Sequence, residues 1–104
     1  MPFDNAPWKD SVTERIERAI ACVEERGWCQ WSTIDDCGRV CVMGAFLYSG
    51  LVADDIAKAA IRRVAQAAGG SPNYNLMRWN DSLLALTGKQ AVLDVMRRAA
   101  AEVA

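Results

Sequence analysis

Apolar residues recur at helical spacing in three stretches of this chain, each bounded by residues that start or stop a helix. Val12, Ile16, Ala19, Ile20 and Val23 form the first stripe, spaced for one face of an amphipathic helix. Ser11-Val12-Thr13-Glu14 reads as a capping box, in which serine and glutamate side chains each accept from the other's backbone N–H, and Gly27 is a natural stop. The spacing predicts a helix over about 12–26, with Glu14 and Arg18 four apart on its wet side. Ile56, Ala59, Ala60, Val64 and Ala67 make a second stripe between Leu51 and Ala68. Asp54 and Asp55 suit its N-terminus, Lys58 is spaced to pair with Asp54, and Gly69-Gly70 ends it. Ala91, Val92, Val95, Met96, Ala99 and Val103 make the third, opened by a second capping box from Thr87 to Gln90.

Between the second and third stripes, Ser71-Pro72 reads as an N-cap followed by proline at the first helical position, where no N–H is needed. That predicts a short helix over 72–79 carrying Leu76 and Trp79 inward, with a break at Asn80-Asp81-Ser82. Residues 27–50 are harder. Residues 27–34 show no helical period, and Asp35-Asp36-Cys37-Gly38 is turn-like. Arg39 to Tyr48 is a nearly unbroken apolar run, which period alone assigns to neither helix nor strand. Gly44-Ala45, closing at Gly50, favours a buried helix over 39–49; the alternative is a hairpin pairing 28–34 with 39–45. Residues 1–10, with Pro2 and Pro7, read as an irregular lead-in that Trp8 anchors, and residues 11–104 as one domain. The expected fold is all-α: a compact orthogonal bundle of four to five helices, with a short β-hairpin within 28–45 as the variant.

Composition narrows the function. At 104 residues there is room for one core. Lys and Arg number 12 against 13 Asp and Glu, a net charge of −1, without the basic excess of a phosphate-backbone binder. Arg62, Arg63, Arg97 and Arg98 are therefore expected to be solvated rather than bound to nucleic acid. No segment reaches the ~20 apolar residues of a membrane span, and the first residues lack a signal-peptide pattern. A cytoplasmic location is expected, with the four cysteines as thiols.

There is no histidine, which removes the Ser-His-Asp and Cys-His nucleophile pairs and the usual zinc-hydrolase ligands. Lys9, Lys58 and Lys89 fall at solvent-facing positions. Among Cys22, Cys29, Cys37 and Cys41 only the last two approach metal-ligand spacing, and a helix would put them on one face. No metal and no cofactor is expected, and Cys22 and Cys41 read as small core residues. Of the four tryptophans, Trp28 and Trp79 read as core, whereas Trp31 is the one expected at a contact surface. Asn80 and Asp81 follow the short helix, where they can cap a turn. A partly buried Asp81 would want a cation, with Arg39 or Arg78 as candidates. The functional counterpart is a pocket rimmed by Trp28, Gln30 and Trp31, with Arg39, Asn80 and Asp81 as its polar part.

Gly27-Trp28, then Val40-Cys41-Val42-Met43-Gly44-Ala45-Phe46, then Trp79-Asn80-Asp81 and a final apolar helix after Thr87 together resemble a family of short actinobacterial and phage proteins catalogued only as a domain of unknown function. Its members show Gly-Trp, Cys-x-x-Gly-Ala-Leu and Trp-Asn-Asp. This chain has Phe46 where leucine is usual and a longer gap between Asp81 and Thr87. The resemblance spans most of residues 11–104 and implies no activity. The expected function is a small non-enzymatic protein-interaction module, a phage or mobile-element accessory protein, with a protein partner and a homodimer as an open state. The alternative is a small-molecule or nucleotide-binding pocket, or an enzyme using Cys41 or Asp81.

Overall fold

The computed structural model describes residues 11–49 and 55–101. Five helices stand among them: α1 (Ser11–Arg26), α2 (Val42–Leu47), α3 (Asp55–Gly69), α4 (Leu76–Ser82) and α5 (Gly88–Ala101). No β-ladder forms among these residues; two isolated bridges meet at Val40. The fold is a small all-α bundle. The readings for the lead-in, Trp8, Lys9, Gly50, the Asp54–Lys58 pair and Val103 lie outside the described residues.

α1 is the hub. It packs most extensively on α5, then on α3 and α2. Ile16, Ala19 and Val23 of the expected stripe are buried, joined by Cys22, while Val12 and Ile20 are half-buried at its edges. Gly27 stops it in the left-handed region (φ 91°), and its N–H returns to Val23 O at 2.8 Å, closing one of the carbonyls that a helix end leaves open. Ser11 is already helical, so it is not the cap of the expected box.

α3 buries Ala57, Ala60, Val64 and Ala65. The stripe is rotated from the expected one: Ala59 is exposed and Ile56 only half-buried. Arg63 Nη1 donates to the buried Thr13 Oγ1 (3.0 Å), tying α3 to α1. α5 buries Val92, Leu93, Val95, Met96 and Ala99. The second capping box does not close: the Thr87 N–H donates to Leu84 O (3.2 Å), and the Gln90 side chain turns forward, its Nε2 donating to Asp94 Oδ1 at 2.8 Å.

The largest departures are in the two short helices. The apolar run becomes neither a helix over 39–49 nor a hairpin ladder. Arg39, Val40 and Cys41 are extended or irregular, and α2 begins at Val42. Cys41 caps it, with Sγ accepting from the Gly44 N–H at 3.3 Å. Cys37 and Cys41 therefore share no helical face. Likewise Ser71-Pro72 opens a turn rather than a helix: the Tyr74 N–H donates to Ser71 O (3.1 Å), with proline at the position where turns favour it. α4 starts four residues later. Asn75 is its N-cap, with Oδ1 accepting from the Arg78 N–H at 3.0 Å. Asn80, Asp81 and Ser82 thus lie inside α4 rather than breaking it.

Candidate functional site

Residues 27–41 form a crossover laid on the bundle. Its centre is Val40, fully buried. On one side the Val40 N–H donates to Gly27 O and the Cys29 N–H to Val40 O, both 3.0 Å; this is the parallel bridge between Trp28 and Val40. On the other side the Asp35 N–H donates to Arg39 O (3.0 Å) and the Cys41 N–H to Thr33 O (3.2 Å). The chain leaves one flank of Val40 at Cys29, crosses over, and returns along the other at Thr33. The expected turn at 35–38 forms: the Gly38 N–H donates to Asp35 O at 3.0 Å. Asp35 Oδ1 accepts from the Cys37 and Arg39 N–H groups (3.0 and 2.9 Å).

Two contacts seat the crossover. The Trp28 ring lies over Gly88, the first residue of α5, where a Cβ would collide with the indole. The Thr33 carbonyl lies over Gly44, where a Cβ would collide with the carbonyl oxygen.

The polar joint is Asn80 on α4, wholly inaccessible to solvent. A continued parallel ladder would bring the Val42 N–H to the Cys29 carbonyl. Instead the Asn80 carboxamide stands between them. The Val42 N–H donates to Oδ1 (3.0 Å) and Nδ2 donates to Cys29 O (3.1 Å). Oδ1 also accepts from Trp28 Nε1 (2.7 Å), and Nδ2 also donates to Asp81 Oδ1 (3.1 Å). This uses all four hydrogen-bonding places of a primary amide. Gln30 Nε2 adds bonds to Asn80 O (3.1 Å) and Leu83 O (2.7 Å). Among the described residues no buried side-chain polar atom lacks a partner.

Five of the six expected site residues therefore come together: Trp28, Gln30, Trp31, Asn80 and Asp81. Arg39 does not join them. Its Nε donates to Asp35 Oδ2 at 2.6 Å, so the expected Arg39–Asp81 pair is replaced by a pair four residues apart. Asp81 Oδ1 instead accepts from the Trp31 N–H at 2.8 Å. Desolvation pushes the Asp35 carboxyl up, but the Arg39 amide and guanidinium and the Cys37 amide outweigh it and hold it below the usual carboxylate range.

Trp28 is packed into the core and Trp79 half-buried against it. Trp31 is 78% exposed, and its backbone sits in the left-handed region at φ 70°. An open groove of about 450 Å³ runs beside it, lined by Trp31, Arg78, Asp81 and Ser82. The cysteines are free thiols. Cys37 is exposed, whereas Cys22, Cys29 and Cys41 are buried. Burial raises the Cys29 thiol above its ordinary range, with Asp35 adding to it, and burial raises Cys22 against the opposing pull of Arg26. Of the arginines considered for nucleic acid, Arg97 is engaged with Glu24 (2.8 Å) and Arg63 with Thr13 (3.0 Å). Among the described residues no three potential metal ligands cluster, and no helix is long and apolar enough to cross a membrane.

Sequence reasoning missed Cys29, Gly88 and the capping role of Cys41. A glycine opening a helix beside a tryptophan-rich chain is a faint signal for Gly88; the other two have no local signature.

These features define a class: a small all-α domain with one irregular crossover, joined to its fourth helix by a buried asparagine. The chain belongs to a family of unknown function, DUF6197, whose model matches residues 9–102 and so takes in the whole site. No curated protein and no solved structure matches the chain.

Proposed function

We propose that the protein is a non-enzymatic interaction module, an accessory factor of the cytoplasm, that receives a partner protein on the face centred on Trp31. The observation that carries this reading is an exposed indole on a fixed backbone. A left-handed conformation costs an L-residue roughly 1–2 kcal/mol, and here the Asp81 carboxylate and the flanking Gln30 bonds hold the chain in it. Strain that the surroundings enforce tends to mark positions kept for function. Tryptophan is also, with tyrosine and arginine, enriched among the residues that anchor protein interfaces. The groove beside the ring can seat an apolar side chain, with Arg78 and Asp81 at its edge to orient a polar neighbour.

The test is affinity capture from a lysate of the source cell with wild type and Trp31→Ala, followed by titration of the purified partner. A stoichiometric partner should be held by wild type alone. The variant should bind at least about 30-fold more weakly, since truncating an anchoring tryptophan costs ~2 kcal/mol or more. Equal binding by both proteins removes Trp31 from the interface. Repeated captures without a stoichiometric partner remove the function.

A further inference from the structure

The crossover carries two buried thiols, Cys29 and Cys41, 7% and 2% exposed. The bridge between Trp28 and Val40 is parallel, so it sets residue 27 beside 39 and residue 29 beside 41. In strands, alternate residues share a face. Trp28 and Val40 belong to the core face; 27, 29, 39 and 41 belong to the other. Gly27, in the left-handed region, has no side chain there, but a Cβ on it would lie 3.0 Å from Arg39 Cγ, so the two segments already run close together before the bridge. The next pair along is Cys29 and Cys41. Cys29 Sγ reaches the facing segment, its single proton shared between Arg39 O (3.2 Å) and Ser32 O of the crossover (3.4 Å). Paired strands lie about 4.8 Å apart, inside the roughly 4.4–6.8 Å between Cα atoms that a disulfide spans. The Asn80 carboxamide parts the ladder only beyond this pair, between Cys29 O and Val42 N.

We propose that Cys29 and Cys41 are an oxidation site: a disulfide-forming pair that, on exposure to a low-molecular-weight disulfide, locks the crossover carrying Trp31. The pairing stands on the register alone; only its consequence for partner binding rests on the function proposed above. The Cys29 thiol gives up its proton, and its thiolate attacks one sulfur of the reagent RSSR. A mixed disulfide forms and the leaving RS⁻ takes up a proton. Cys41 then deprotonates and attacks Cys29 Sγ, expelling the second RS⁻, which is protonated in turn. Two electrons pass from the cysteines to the reagent, and the products are the protein disulfide and two RSH. Burial makes both steps wait on local opening of the crossover.

The test uses the native protein carrying Cys37→Ser, which removes the exposed thiol. After incubation with oxidised glutathione, trapping and denaturing alkylation, the product should carry one alkyl group, on Cys22, and be otherwise two hydrogens lighter than the reduced protein, with the Cys29 peptide joined to the Cys41 peptide. Adding Cys29→Ser, with the helical signature checked by circular dichroism, should abolish that product. Backbone amides over 30–34 should exchange about tenfold or more slowly once the disulfide closes. A stable glutathione adduct on Cys29 with Cys41 still alkylatable overturns the pairing, as does recovery of both thiols. Unchanged exchange overturns the lock. None of these readouts needs a partner, so loss of the Trp31 function would leave them standing.

Discussion

Asn80→Ala would leave Trp28 Nε1, the Val42 N–H and the Cys29 carbonyl without their partner, in a place where the asparagine itself is wholly buried. Each unsatisfied buried group costs on the order of 1–3 kcal/mol. The expected loss is about 3–5 kcal/mol, read from the urea midpoint at constant slope. Asp81→Asn keeps an oxygen for the Trp31 N–H and should cost under about 1 kcal/mol. A loss below about 1 kcal/mol for Asn80→Ala would mean that water or a shifted backbone replaces the carboxamide. The comparison separates two neighbours that the sequence treats alike. Both read there as turn caps or as a pocket floor. In the fold Asn80 is a joint between segments about 40 and 50 residues away, and only Asp81 reaches the surface groove.

At the scale of elements, the long helices are legible because their signal is local and repeated. Several apolar turns fix α1 and α5, and a misplaced cap moves an end by only a residue or so. The short helices carry no such repetition: α2 has six residues and α4 seven, so each depends on its cap. Cys41 is outside the usual capping set, and Ser71-Pro72 offers a stronger N-terminal pattern than Asn75 does. Tertiary contact then decides, as at Gly88. Alanine is the better helix former by up to ~1 kcal/mol, so propensity alone predicts that Gly88→Ala stabilises α5. The Trp28 ring occupies the space of that methyl, and overpacking costs typically ~1–3 kcal/mol. The variant should be destabilised by about 1–2 kcal/mol, with Trp28 emission shifted to the red. Higher stability with unchanged emission would show that the indole is not seated on α5.

The described residues share one core, and the crossover is built into it rather than added to it. Trp28 belongs to the same buried cluster as Ile16 and Val23 of α1, Val64 of α3 and Met96 of α5, while Asn80 ties the crossover to α4. A domain of this size is expected to unfold in one step. Were the crossover only draped over the helices, its polar joint would open first and the helices would outlast it. Here opening the joint uncovers Trp28 and the N-terminus of α2, and with them the face on which α1 packs. Tryptophan fluorescence and far-ultraviolet circular dichroism should therefore share one urea midpoint. Ile16→Ala, fully buried at the hub, should move both by the same amount, equivalent to about 2–5 kcal/mol. Because Trp31 is already exposed, the fluorescence change of the tryptophans among the described residues should come from Trp28 and Trp79, and Trp31→Phe should leave the midpoint in place. A fluorescence transition completed at lower urea, before the helical signal falls, would show that the crossover unfolds independently, and the Trp31 face would then be a hinged element instead of a fixed one.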